Sequence, residues 1–213
     1  GDNRMKHVHV TLILLASLAI NHNAAAETAG TRHLLAEDLS QWEQFLPDPD
    51  ADPAETWSFA DGVVSCTGKP SGYLRTRESF SNYTVHIEWR WTAQPGNSGL
   101  LLHITGENAV WPKSIESQLM NGNAGDIFHI GGTTSAELKQ GRRIKKLESS
   151  SEKAPGEWNE MDVTCFEDTI TIRVNGVVQN KATKCSVTSG PIGLQSEGKP
   201  IAFRNVSVTP IVK

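Results

Sequence analysis

The run Tyr83-Thr84-Val85-His86-Ile87-Glu88-Trp89-Arg90-Trp91 alternates strictly, so an extended strand places His86, Glu88 and Arg90 on one face and the aromatic and aliphatic side chains on the other. An imidazole, a carboxylate and a guanidinium two residues apart can move a proton and hold an anion, and they equally form cross-strand ion pairs on a solvated face. A second polar set lies in the run from Ile115 to Met120, where Glu116 and Gln118 share a face. Glu116 is a lone carboxylate in a mostly apolar strand, the setting in which burial raises a carboxyl pKa into the range useful for acid–base chemistry. His103 follows the apolar run after Asn97-Ser98-Gly99, and His129 interrupts Ile127-Phe128-His129-Ile130. Each is either a satisfied structural histidine or a catalytic or metal-ligating one, and all these groups are expected to converge on one surface. The chain carries no close-spaced histidine pair of the metalloprotease type, no P-loop, no dinucleotide glycine fingerprint and no serine nucleophile elbow, which sets those enzyme classes aside.

Short strands must position these groups. Beyond residues 83–91, strands are expected at Gly62 to Cys66, Gly99 to Thr105, Ile115 to Met120, Ile127 to Gly131 and Met161 to Phe166. Asn175-Gly176, between Asp168 to Val174 and Val177 to Ala182, predicts a two-residue hairpin. Ile192 to Gln195 and Ile201 to Val208 supply the last two strands, the second alternating Ile201, Phe203, Asn205 and Ser207 against Ala202, Arg204, Val206 and Val208. Pro47 to Pro53 reads as a surface loop. Thr134 to Gly156, rich in Lys, Arg, Ser and Glu, has no β period and reads as a long excursion, partly helical around Ala136 to Lys139, of the kind that often carries function. About a dozen strands with tight turns predict an all-β sandwich of two antiparallel sheets. The outer face of a curved sheet then forms a groove lined by the alternating polar positions. A groove that hydrolysed a glycoside in the ordinary way would need two carboxylates. Gln118 cannot ionise, so parity makes Glu88 the expected partner of Glu116.

Met5 and Lys6 precede an apolar run from Thr11 to Ile20, which ends in Ala24-Ala25-Ala26, the pattern of a cleaved secretory leader. Asn21, His22 and Asn23 break that run well short of the roughly 20 residues that span a bilayer. We therefore expect residues 1–26 to be upstream residues and leader, residues 27–213 to be one domain without a membrane span, and the location to be periplasmic or secreted. A net charge of −4 with no sustained Lys/Arg stripe argues against nucleic acid as a partner. Cys66, Cys165 and Cys185 allow at most one intramolecular disulfide, with Cys165–Cys185 the favoured pair and three buried thiols the alternative.

Glu88-Trp89-Arg90, Asn97-Ser98-Gly99-Leu100-Leu101 and Ile115-Glu116-Ser117-Gln118-Leu119 come in an order and spacing that resembles the 3-keto-disaccharide hydrolase family. The resemblance continues through Gly122-Asn123-Ala124-Gly125-Asp126, Ser151 to Asn159, the Asn175-Gly176 hairpin, Gly193-Leu194-Gln195-Ser196-Glu197-Gly198 and Phe203-Arg204-Asn205-Val206. It implies a concanavalin A-like jelly-roll β-sandwich, and an enzyme that cleaves glycosides whose sugar is oxidised to a ketone at carbon 3. Glu197 stands where some relatives carry a histidine. Such a ketone acidifies the proton on carbon 2, and its removal lets the group on carbon 1 leave by elimination, after which water can add. That chemistry asks for a base, an enolate stabiliser and an acid. Under this reading Glu116 or His103 is the base, and Arg90 or a divalent metal held by His103, His129 and Glu116 stabilises the enolate. Glu88 is a further catalytic candidate, while Asn97, Gln118, Trp111, His129 and Glu197 would contact the carbohydrate, Trp111 through its aromatic face. Trp158 is expected in the core. The alternative is a non-catalytic carbohydrate-binding module of the same fold, and an envelope structural protein is the third reading.

Overall fold

The computed structural model describes residues 30–35 and 38–212, so the expected leader lies outside the described residues. The alternating stretches become strands because each has one apolar face to bury and one polar face to leave solvated. In chain order they are β1 (Arg32–His33), β2 (Trp42–Phe45), β3 (Trp57–Ala60), β4 (Val63–Cys66), β5 (Gly72–Thr76), β6 (Tyr83–Trp91), β7 (Gly99–Thr105) and β8 (Lys113–Gln118). They continue as β9 (Ile127–Ile130), β10 (Arg143–Ile144), β11 (Asn159–Phe166), β12 (Thr169–Val174), β13 (Val177–Ala182), β14 (Gly193–Ser196) and β15 (Ile201–Pro210). Among the described residues the only helical element is a 3-10 turn at Pro53–Glu55, capped by the Asp52 carboxylate accepting from the Ala54 amide.

Two antiparallel sheets form. The first has the order β13-β12-β11-β6-β15-β4-β3, with β1 also paired to β15; the second has the order β10-β9-β8-β7-β14-β5-β2. Tyr83, Val85, Ile87, Trp89 and Trp91 of β6, Met161 and Val163 of β11 and Phe203 of β15 point from the first sheet into one core, where they meet Leu100, Leu102, Ile115, Ile127 and Leu194 of the second. The Asn175-Gly176 hairpin forms between β12 and β13 with both turn residues at positive φ (47° and 80°), the conformation that matches strand twist and that Asn and Gly adopt most cheaply.

The structure departs from the sequence reading where periodicity is interrupted. On β15 the alternation breaks at Asn205, a bulge residue with φ of 50°, so Val206 and Val208 rejoin the core with Ile201 and Phe203. No helix forms around Ala136 to Lys139; a turn stands there, and the excursion instead adds the two-residue edge strand β10. Cys66, Cys165 and Cys185 are all buried free thiols, so the Cys165–Cys185 disulfide is not formed. Trp158 is half-buried outside the core, with the guanidinium groups of Arg90 and Arg204 over its ring at 4.7 and 4.1 Å.

Candidate active site

Strand parity fixes what the outer face of the second sheet presents. On β8, Ile115 joins the core and the Ser117 hydroxyl lies 3.1 Å from the Met161 sulfur of the opposite sheet, which turns Glu116 and Gln118 outward. On β9, Ile127 points in and Phe128 out. On β14, Leu194 points in, and Gln195, opposite the outer-face Tyr73 of β5, points out. Glu116, Gln118 and Phe128 meet Asn97, Trp111, Met120, Ile130, Arg142 and Glu197 around a hollow of about 140 Å³. Beside it, Tyr73, Leu101, Ile104 and Ile130 form a second apolar cluster on the same outer face. The Tyr73 hydroxyl donates to Asn108 Oδ1 at 2.8 Å and so ties the 106–112 loop over that cluster. The loop carries Trp111, which is 51% exposed at the rim.

Glu116 is 4% exposed and folds back across Gly99, where a Cβ would collide with Glu116 Oε1. That oxygen is buried without a hydrogen-bond partner, leaving Oε2 toward the hollow. Burial, reinforced by the nearby Glu197 carboxylate and only partly offset by Arg142, pushes the Glu116 pKa up to about 8. Burial also raises Glu197, but Asn97, Trp111 and Arg142 oppose the shift. Glu116 therefore keeps its proton at neutral pH, while the three contacts at Glu197 limit the rise there. Gln118 turns its Oε1 to the Leu119 and Met120 amides at 2.9 and 2.8 Å, which leaves its amide nitrogen for a ligand. Arg142 also lies over the Phe128 ring at 5.6 Å.

Asn97, Trp111, Glu116, Gln118 and Glu197 are thus brought to one hollow, while the other sequence candidates lie elsewhere. Glu88 and Arg90 sit on the outer face of the first sheet, with the whole core between them and Glu116. There Glu88 accepts from Arg204 Nε at 2.7 Å and Asn205 Nδ2 at 2.6 Å, and His86 Nδ1 pairs with Asp162 Oδ1 at 2.8 Å. The second carboxylate beside Glu116 is Glu197 rather than Glu88, because β6 and β8 belong to different sheets.

His103 occupies a bulge of β7 with φ of 56°, where the register to β8 shifts between Leu102 and Thr105. The extra residue turns His103 inward, edge-on to the Tyr83 ring at 5.6 Å, and sends Ile104 to the outer face. Burial brings its pKa down to about 4, so the ring is neutral at physiological pH. His129 faces Ile115 across the β8–β9 pair, on the inward side, and its two ring nitrogens lie 3.3 and 3.1 Å from the Thr133 and Ser135 hydroxyls. His103, His129 and Glu116 therefore do not form a ligand set, and among the described residues no group of three or more His, Cys, Asp or Glu side chains is placed to hold a metal ion. Arg142 and Phe128 also line the hollow, and the sequence marks neither as a site residue; only the basic excursion from Thr134 to Gly156 points toward Arg142.

This architecture is the concanavalin A-like jelly roll shared by glycoside-cleaving and carbohydrate-binding proteins. A putative glycosyl hydrolase from Parabacteroides distasonis aligns with a TM-score of 0.66 at 20% identity, over 85% of this chain and 100% of that one. A beta-glucanase from Bacillus licheniformis aligns at 0.59 and 12%, over 88% and 100%, and a carbohydrate-binding module from Bacillus subtilis at 0.59 and 12%, over 79% and 95%. At such identities the likeness is one of fold. No curated protein matches the chain in sequence. Residues 31–209 match the 3-keto-alpha-glucoside-1,2-lyase-like domain, and the chain belongs to that family.

Proposed function

We propose that this protein cleaves glycosides of a sugar bearing a ketone at carbon 3, by elimination across carbons 1 and 2. The observation that carries the reading is a pair of carboxyl groups, Glu116 and Glu197, around a single hollow with Arg142 beside them, in which burial holds the Glu116 pKa up to about 8. Glu197 takes the proton from carbon 2 and the electron pair moves onto the carbon 3 oxygen as an enolate, which Arg142 stabilises. The enolate then reforms the ketone, a double bond forms between carbons 1 and 2, and the bond from carbon 1 to the leaving oxygen breaks. Glu116 supplies the proton that the leaving oxygen needs. Addition of water across the new double bond gives the hydrolytic outcome. Trp111 offers a flat face to the sugar ring, and the Gln118 amide nitrogen a donor to a hydroxyl. The leader pattern read in residues 5–26 supports a periplasmic or secreted location for this chemistry.

The test is release of sugar and appearance of enone absorbance from a 3-keto-α-glucoside disaccharide, beside its unoxidised parent, with the wild type, Glu197→Gln and Glu116→Gln. We expect turnover of the keto form alone, and a loss of roughly a hundredfold or more in each variant. Cleavage of the unoxidised parent would replace elimination by ordinary acid–nucleophile hydrolysis at the same pair. Binding of both sugars without turnover would leave a carbohydrate-binding module, a reading that the exposed Trp111 favours.

A further inference from the structure

Gln195 is a polar residue of this region to which the chemistry above gives no role. It is 1% exposed, and both its amide oxygen and its amide nitrogen are buried without a hydrogen-bond partner. A primary amide that has lost water and gained nothing destabilises the native state, so an apolar side chain of similar size would pack there at lower cost. Its position is specific. The register of β14 on β7, with Gly193 opposite Leu101 and Leu194 opposite Leu100, sets Gln195 beside Gly99, and the Ser98 hydroxyl donates to the Gln195 carbonyl at 2.8 Å. Gly99 is the residue across which Glu116 Oε1 lies. An orphaned amide and an orphaned carboxyl oxygen therefore flank one glycine on the same face of the sheet, and the missing Cβ keeps the space between them open.

We propose that Gln195 is the positioning residue of Glu116, its Nε2 turning to donate to Glu116 Oε1. A neutral carboxyl has one carbonyl oxygen and one hydroxyl. Engaging Oε1 as the acceptor makes it the carbonyl, so the proton resides on Oε2, the oxygen toward the hollow, where a leaving group can take it. The inference deepens the acid role given to Glu116 and rests on it for the direction of proton transfer, but the contact itself is independent of any substrate.

The experiment follows Glu116 by carbon-13 NMR titration in wild type, Gln195→Leu and Gln195→Asn without ligand, with thermal melts and kinetics on a 3-keto-α-glucoside alongside. A donor to the carboxylate favours the charged form, so its removal raises the Glu116 pKa; we expect both variants to titrate at higher pH. Gln195→Leu is expected to melt no lower than wild type, and its kcat to fall roughly ten- to a hundredfold with KM within about twofold. A Glu116 titration that does not move in either variant overturns the proposal, as does an unchanged kcat. If the leucine variant fails to fold, the asparagine variant, whose amide is too short to reach, decides by the same titration. A moved titration with no wild-type turnover of the keto sugar would sink the proposed reaction while leaving the Gln195–Glu116 contact standing.

Discussion

Glu116 and His103 work against the native state from opposite ends of the pH scale. The unfolded chain releases the Glu116 proton near the ordinary value of 4.5, whereas the folded protein holds it up to about 8, so stability is lost as pH rises through that window and levels off above it. For His103 the unfolded ring takes a proton below 6.5 while the folded one refuses it until about 4, so stability is lost as pH falls through that window. Thermal melts should show Glu116→Gln gaining on wild type from pH 5 upward, by roughly 5 °C or more at pH 8, with no difference at pH 4. Equal melting temperatures at pH 8 would mean that Glu116 is ionised and solvated in the native state. The same residue should set an alkaline limit on turnover near pH 8, because an acid that has lost its proton cannot serve the leaving group; a rate still rising at pH 9 would contradict that role.

At the scale of the strand, Glu88 is the control for Glu116. Both alternate out of apolar strands, yet Glu88 meets Arg204 and Asn205 on the opposite outer face. Glu88→Gln is expected to cost about 1 kcal/mol in denaturant unfolding and to leave turnover within twofold of wild type. A collapse of activity with the fold intact would show that the first sheet's outer face takes part in the reaction. This pair also marks what the sequence disclosed. Alternation shows which side chains share a strand face, and the β6 and β8 patterns, the Asn175-Gly176 hairpin and the raised Glu116 pKa were all legible from it. Sheet membership is decided by distant pairing, so nothing local to Glu88 could show that it faces away from Glu116. The β7 bulge is equally silent in the sequence, because only the inserted residue at His103 reverses which of His103 and Ile104 faces the core. Glu197 was named through its relatives, and Arg142 lies in a segment with no period to read.

At the scale of the molecule, the core encloses all three thiols. Burial pushes the Cys165 and Cys185 thiols up to about 12, and it raises Cys66 as well. Thiol titration should therefore find none of the three reactive in the native protein and all three after denaturation, and a reducing agent should not shift the melting temperature. A native thiol count below three after unfolding without reductant would reveal a disulfide.

The last two strands in the chain do not lie at the edges of the sheets. β14 sits between β7 and β5, and β15 between β6 and β4, so each sheet is split in two until the C-terminal residues arrive. Neither half can close its ladder during synthesis, and pairs such as Val64 with Phe203 must wait for the whole polypeptide. A chain ending at Gly190 is expected to show no cooperative melt. Residues 193–210 thus act as a double keystone: removing them would part both sheets at once, because β14 and β15 are each the only link between the two halves of their sheets among the described residues.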